Sequence, residues 1–295
     1  MCKRKITIIR PKKDNNENYI SILMSKGIDK ATEFRKKLLP NKLYKYYSLD
    51  SLCCNKEKNY QKINTLQKNC IWLSSPDYEN DPFEYKSLFI DFDKLESLGY
   101  QNHKELLEKL NSNIYLSSFS ANYSSAMWAY YANNYSGFCV EFDVDRSQAT
   151  AVKNVCYEEK PIEITNIFSN ILNKSKDSKE LLYLITEKYC IKDLSWQHEK
   201  EYRSLDIDLE KIEELKDNPN SFESRNGMEK PLSDFGLTVS KIIVGYKCDC
   251  DYILRLKNIA KILNCNIVMV IPKVTKSNYE LTEKPLEENN NVTTD

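Results

Sequence analysis

Trp196-Gln197-His198-Glu199-Lys200-Glu201-Tyr202-Arg203 sets two carboxylates, a histidine, an arginine and two aromatics side by side. Read as a strand from Glu199 to Leu205, the stretch projects Glu199 and Glu201 from one face and Lys200 and Tyr202 from the other, because side chains alternate along a pleated chain. Read as a helix, it splays the two glutamates apart. The strand aims a carboxylate pair at one point, the arrangement that holds a hydroxyl or steadies a cationic sugar carbon in glycosyl chemistry. The plainer reading is a surface strand with solvated charges and one Glu-Arg pair, which contributes little to stability.

Upstream, Ile162 to Leu194 supplies two helices around the polar break Asn173 to Lys179, with Leu181, Leu182, Leu184, Ile185, Tyr189 and Ile191 as one buried stripe. Further back, Phe138-Cys139-Val140-Glu141-Phe142 alternates as a half-buried strand does, and Val152 to Tyr157 reads as another. Ser125 to Tyr131 has helical propensity and an aromatic cluster, and Ile114 to Ser120 reads as a strand. His103 to Leu110 is a short amphipathic helix. Asn80-Asp81-Pro82-Phe83-Glu84 is a rigid turn, since asparagine and aspartate bond their own backbone and proline presets the next dihedral.

Towards the start, Ile71 to Ser75 and Leu43 to Tyr47 read as strands, Tyr60 to Asn69 as a helix, and Ser48 as the cap of a helical stretch towards Cys54. Tyr19 to Leu39 has helical spacing and ends at Pro40. Downstream, Leu237 to Gly245, Tyr252 to Leu263 and Asn266 to Ile271 form a β-α-β unit. Residues 1–18 read as a basic flexible arm, 19–275 as a single domain and 276–295 as a polar acidic tail. The fold class is α+β, a curved or split mixed sheet surrounded by helices.

The 295 residues carry 43 basic and 43 acidic side chains, so no global field draws the chain to nucleic acid or to an anionic membrane. No long apolar run marks a membrane span, and the absence of a signal peptide points to the cytoplasm. Ten cysteines include no CxxC pair, and they read as reduced thiols; Cys248-Asp249-Cys250 offers a soft metal two ligands, which do not make a site. Six glycines, with neither GxGxxG nor GxxxxGK(S/T), argue against a phosphate-cradling loop. Two histidines, His103 and His198, exclude a histidine-rich metal centre. The 20 tyrosines suit partly wet clefts as well as cores.

Leu43-Tyr44-Lys45-Tyr46-Tyr47-Ser48, Asn80 to Glu84, Ser118-Phe119-Ser120, Met127-Trp128-Ala129-Tyr130-Tyr131, Gly137 to Phe142 and Glu199 to Arg203 together resemble a widespread bacterial family catalogued as a domain of unknown function. More loosely, the order of these motifs is similar to the ADP-ribosyltransferase superfamily, including the toxins that modify DNA. That resemblance implies an ADP-ribosyltransferase-like outline, NAD as substrate, and a toxin or phage-defence effector. Lys45 takes the first-strand position, where the superfamily usually carries arginine or histidine. Ser118-Phe119-Ser120 resembles the Ser-Thr-Ser motif, and Glu199-Lys200-Glu201 the Glu-x-Glu motif.

On this resemblance the catalytic pair is Glu201, holding the nicotinamide ribose, and Glu199, orienting the acceptor or acting as base. Lys45, Tyr46, Ser118, Ser120, Tyr130 and Tyr131 line the dinucleotide site, and the acceptor is protein or nucleic acid. Asn80, Asp81, Glu84, Trp128 and Arg203 are structural or orienting, with Arg203 paired to Asp81 or Glu84 as a lock between turn and strand. The competing readings are a non-enzymatic sensor or scaffold of a defence or toxin operon, and a metal-dependent hydrolase using Asp81, Glu84, Glu199 and Glu201. A transferase requires Lys45, Ser118 and Glu201 to converge on a concavity, whereas a scaffold satisfies those side chains internally.

Overall fold

Gly27, with φ 82, lies between the first two helices, α1 (Tyr19–Lys26) and α2 (Ile28–Lys37), where spacing alone predicts one. A positive φ costs glycine nothing, so the chain bends there. The computed structural model describes residues 19–51, 56–83, 85–101, 103–149, 151–174, 178–208 and 226–286. The basic arm, Cys53-Cys54, Glu84 and the last nine positions of the expected tail lie outside them. So does most of the polar region that follows Lys211.

Along the chain come β1 (Lys42–Tyr47), α3 (Lys56–Gln67), β2 (Cys70–Ser74), β3 (Leu88–Phe89), α4 (Phe92–Ser97), α5 (His103–Asn111), β4 (Ile114–Ser120) and α6 (Ser125–Tyr131). Next are β5 (Phe138–Val144), β6 (Val152–Asn154), β7 (Cys156–Glu158), β8 (Ile162–Glu163), α7 (Thr165–Lys174), α8 (Ser178–Glu187), β9 (Ile191–Asp193) and β10 (Glu201–Ile207). The last are β11 (Gly227–Pro231), β12 (Leu237–Gly245), α9 (Cys250–Ile262), β13 (Asn266–Val274) and β14 (Tyr279–Pro285). No helix among the described residues is long and apolar enough to cross a membrane.

One ten-stranded sheet runs β11-β2-β4-β1-β5-β12-β13-β14, with β10 on β4 and β6 on β10. It is mixed: β12 and β13 are parallel across α9, as the β-α-β pattern predicts, and the other pairs are antiparallel. It is also split. β1 and β4 meet at one register pair, Tyr44↔Ser120, whereas β1 and β5 pair from Lys42↔Asp143 to Tyr47↔Phe138.

Strand alternation sends the two faces to different cores. Leu43, Tyr115, Phe119, Phe138, Val140, Phe142, Ile242 and Val244 join one cluster with Leu66 of α3 and Leu256 of α9. On the other face Ile114 and Leu116 pack against α1, α5, α7 and α8, while Trp128 of α6 packs on Cys139, Ile243 and Val270. β5 is therefore buried on both faces, and the half-buried expectation fails: Cys139 is 0% exposed and Glu141 5%. Glu141 is held by Lys42, by Ser240 Oγ at 3.0 Å and by Lys241 at 3.6 Å.

Two further expectations change. Ser48 starts no helix within the described residues before Lys56. The tail contains a strand, because β14 pairs along β13 from Val268↔Pro285 to Val274↔Tyr279, with Lys241 on Glu283 at 2.9 Å. As an exposed edge strand it needs little apolar content, so composition hides it. Gly137 is required by packing: a Cβ there would stand 1.9 Å from the Tyr47 carbonyl oxygen. Helix α2 is fastened to α8 and β6 by a buried ion cluster in which Glu187 takes Arg35 and, at 2.9 Å, Lys153. Burial would raise the Glu187 pKa, but those two cations hold it low.

Candidate functional site

Glu199 and Glu201 do come together, though not by strand alternation. Glu199 ends a 3₁₀ turn, Leu194–Glu199, capped by Asp193 Oδ1 on Ser195 N at 2.9 Å. Lys200 then takes a left-handed conformation, φ 46 and ψ 54, and β10 begins at Glu201. This reversal swings both carboxylates onto one amine: Lys192 Nζ, from β9, lies 2.9 Å from Glu199 Oε2 and 2.9 Å from Glu201 Oε2. Lys192 is placed by β9 pairing in parallel with β7, where Tyr157 stands opposite it. The Tyr157 hydroxyl in turn accepts from Glu201 N at 2.7 Å.

Arg203, fully buried, closes the other side of Glu201. Its Nε donates to Oε1 at 2.7 Å and its Nη2 to Oε2 at 3.2 Å, while Nη1 donates to the Tyr189 carbonyl at 2.5 Å. The expected Arg203–Asp81 pair is absent, and Glu84 lies outside the described residues. Asp81 is buried with Oδ1 accepting from Phe83 N at 2.9 Å and Oδ2 unbonded, so it stiffens its own turn. The strand register explains Arg203's choice: Glu201 and Arg203 are two apart on β10 and share a face.

Burial alone would raise the Glu201 pKa, but the charges of Arg203 and Lys192 outweigh it and hold the carboxyl well below the usual carboxylate range. Burial would likewise discharge Lys192, and Glu201 and Glu199 keep it charged. Glu199 accepts the Tyr131 hydroxyl as well. Burial and that carboxylate push the Tyr131 phenol far up, so it stays a donor.

These groups form one wall of a cleft of about 170 Å³ at the seam between β1 and β4, lined also by Tyr44, Lys45, Glu79, Asn80, Ser118 and Met127. Ser118 Oγ is buried beside the Glu201 carboxylate and helps to hold its pKa down, without a hydrogen bond of standard geometry. Ser120 Oγ instead donates to the Glu199 carbonyl at 2.5 Å, which makes Ser120 a brace for the turn. Lys45 reaches the seam from the other face. Its Nζ bonds Ser117 Oγ at 2.7 Å and the Ser118 carbonyl at 3.1 Å, with the Phe119 ring 5.5 Å away. Burial lowers its pKa to about 8. The amine therefore lines the cleft while committed to serines.

Tyr46 spends its hydroxyl on the Asn122 carbonyl at 3.0 Å and sets its ring edge-on to Trp128. Trp128 is 0% exposed and stacked on Tyr135 at 5.4 Å, a core residue. Tyr130 is the opposite, 70% exposed. It belongs to an open groove of about 420 Å³ with Asn80, Tyr131, Ser195, Trp196 and His198, which continues the cleft through the shared Asn80 and Tyr131. Trp196 and His198 stack at 6.3 Å, and Lys192 lies 5.0 Å from the Trp196 ring centre.

Sequence reasoning missed Lys192, Tyr157 and Ser117. The one available signal was a lysine directly after the apolar run Tyr189-Cys190-Ile191. A hard-ligand metal site is not assembled: an ammonium occupies the point between the two glutamates, and no group of three or more His, Cys, Asp or Glu among the described residues suits a metal ion. Asp249, between Cys248 and Cys250, caps α9 through Asp251 N at 3.1 Å.

Residues 127–204 match a family described as a protein of unknown function, DUF2971. No curated protein and no solved structure matches the chain. The matched segment runs from α6 into β10 and carries Tyr130, Tyr131, Lys192, Glu199, Glu201 and Arg203; Lys45, Asn80, Ser118 and Ser120 precede it.

Proposed function

We propose that the chain consumes NAD by ADP-ribosyl transfer, or by hydrolysis when water is the acceptor, at the seam between the half-sheets. The observation that carries this reading is an ionised, immobilised carboxylate, Glu201, on a cleft wall beside the buried Ser118 hydroxyl. A carboxylate offers about four lone-pair sites. Glu201 accepts three donors, two from Arg203 and one from Lys192, which leaves about one site for a ribose hydroxyl.

In the reaction the C1′–N bond breaks, nicotinamide departs with the electron pair, and positive charge develops on the ribose. Fixed negative charge facing that centre lowers the barrier without reorganisation, and losing one such contact costs a factor of about 100 to 1,000. An acceptor hydroxyl then bonds C1′, and its proton passes to Glu199, which carries two donors and keeps about two lone-pair sites open. The cleft of about 170 Å³ takes the nicotinamide ribose. The adenosine half rests in the open groove, on Tyr130 and Trp196.

A second reading, a sensor or scaffold without chemistry, is favoured by one observation: each charged group of the cluster already has a protein partner. The deciding experiment is nicotinamide release from labelled NAD, comparing wild type with Glu201→Gln and offering mixed protein and nucleic-acid acceptors. Turnover that falls at least 100-fold in a folded Glu201→Gln supports the transferase. No turnover, with no NAD-dependent rise in melting temperature, overturns it in favour of the scaffold.

A further inference from the structure

Away from the cleft, and sharing no residue with it, a cavity of about 310 Å³ opens into the second core between β3, α5, α7 and α8. Its floor is hydrocarbon: Leu107, Ile164, Phe168 and Leu184 line it and are each at most 5% exposed to solvent. Its rim is cationic, with Lys86, Lys104 and Lys188 against one acid, Glu108. The opening brings buried leucine and phenylalanine side chains within reach of a ligand from outside.

Lys188 is the informative residue. It follows α8 directly, is half-buried, and makes no hydrogen bond or ion pair with the described residues. The neighbouring Glu187 cannot neutralise it, being bound to Arg35 and Lys153. Its pKa is lowered by burial, with no compensating charge. A desolvated ammonium beside an apolar floor calls for a ligand that supplies both an anion and hydrocarbon.

We propose that this cavity binds a medium-chain fatty acid, with the chain on the floor of Leu107, Ile164, Phe168 and Leu184 and the carboxylate on Lys188. A wholly apolar ligand would leave the lysine uncompensated. A sugar or a bare phosphate would waste the floor. The proposal is independent of what happens at the Glu201 cleft.

The test is calorimetric titration of the full chain with sodium octanoate and sodium decanoate, below the concentrations at which they aggregate, and with decanol as the uncharged counterpart. Saturable one-to-one binding is expected, tightening about fourfold per added methylene, with decanoate at least tenfold tighter than decanol. Lys188→Met is expected to weaken decanoate about tenfold or more and to leave decanol unchanged. No saturable decanoate binding, equal affinities for decanoate and decanol, or indifference of decanoate to Lys188→Met each overturns the proposal. The comparison of acid with alcohol uses wild-type protein, so it decides the matter even if Lys188→Met does not fold.

Discussion

Two cations meet at Glu201: Arg203 donates to both of its oxygens, and Lys192 bridges it to Glu199. Breaking a buried pair from one side strands the opposite charge and costs about 3 to 5 kcal/mol. Glu201→Gln is expected to lose about that much in urea unfolding near neutral pH. The sign with pH follows from the depressed carboxyl: its contribution is complete above the ordinary value of 4.5 and is lost as pH falls through the lower folded value. The variant's stability should therefore fall less steeply than wild type's between pH 5 and pH 2. Equal slopes would show that Glu201 does not set the acid limb. At this scale the pairing of Glu199 with Glu201 was legible, because both are close in the chain and chemically alike. Lys192 was not, because nothing local says that a lysine seven positions upstream folds back between them.

The element that brings the carboxylates together is one left-handed residue, Lys200, between a 3₁₀ turn and a strand. For a residue with a Cβ this conformation costs about 1 to 2 kcal/mol. Lys200→Gly removes that cost while adding freedom to the unfolded chain, so its stability should stay within about 1 kcal/mol of wild type. Lys200→Val, β-branched at positive φ, should lose at least about 1 kcal/mol more than the glycine variant in thermal melts. Similar melts for the two would show that the turn relaxes out of the left-handed region. The apolar runs that became β4, β5 and β12 were readable because burial imposes their composition. β14 and the Lys200 turn were not: one is an exposed edge, the other a single dihedral that a lysine adopts under tertiary constraint.

Across the whole molecule, the two half-sheets are joined at Tyr44↔Ser120, while the ladders on either side are long. Native-state hydrogen exchange is expected to give the centres of the β4–β10 and β5–β12 ladders high and similar opening energies, with the amides flanking the joint opening more readily. Uniform protection across the joint would show one continuous sheet. A mixed sheet, curved or split, was expected from the irregular alternation of strands and helices, but where its ladders narrow depends on which strand ends diverge, which no local pattern records. The joint also has a place in time. Ser120 and Glu199 are 79 residues apart in the chain, and Tyr46 and Asn122 are 76 apart, whereas β12, α9 and β13 follow one another directly. Long loops must close before distant contacts reward them, so the cleft is completed late in folding. A nascent chain on the ribosome cannot possess the cleft until the whole Glu199 to Arg203 segment has emerged.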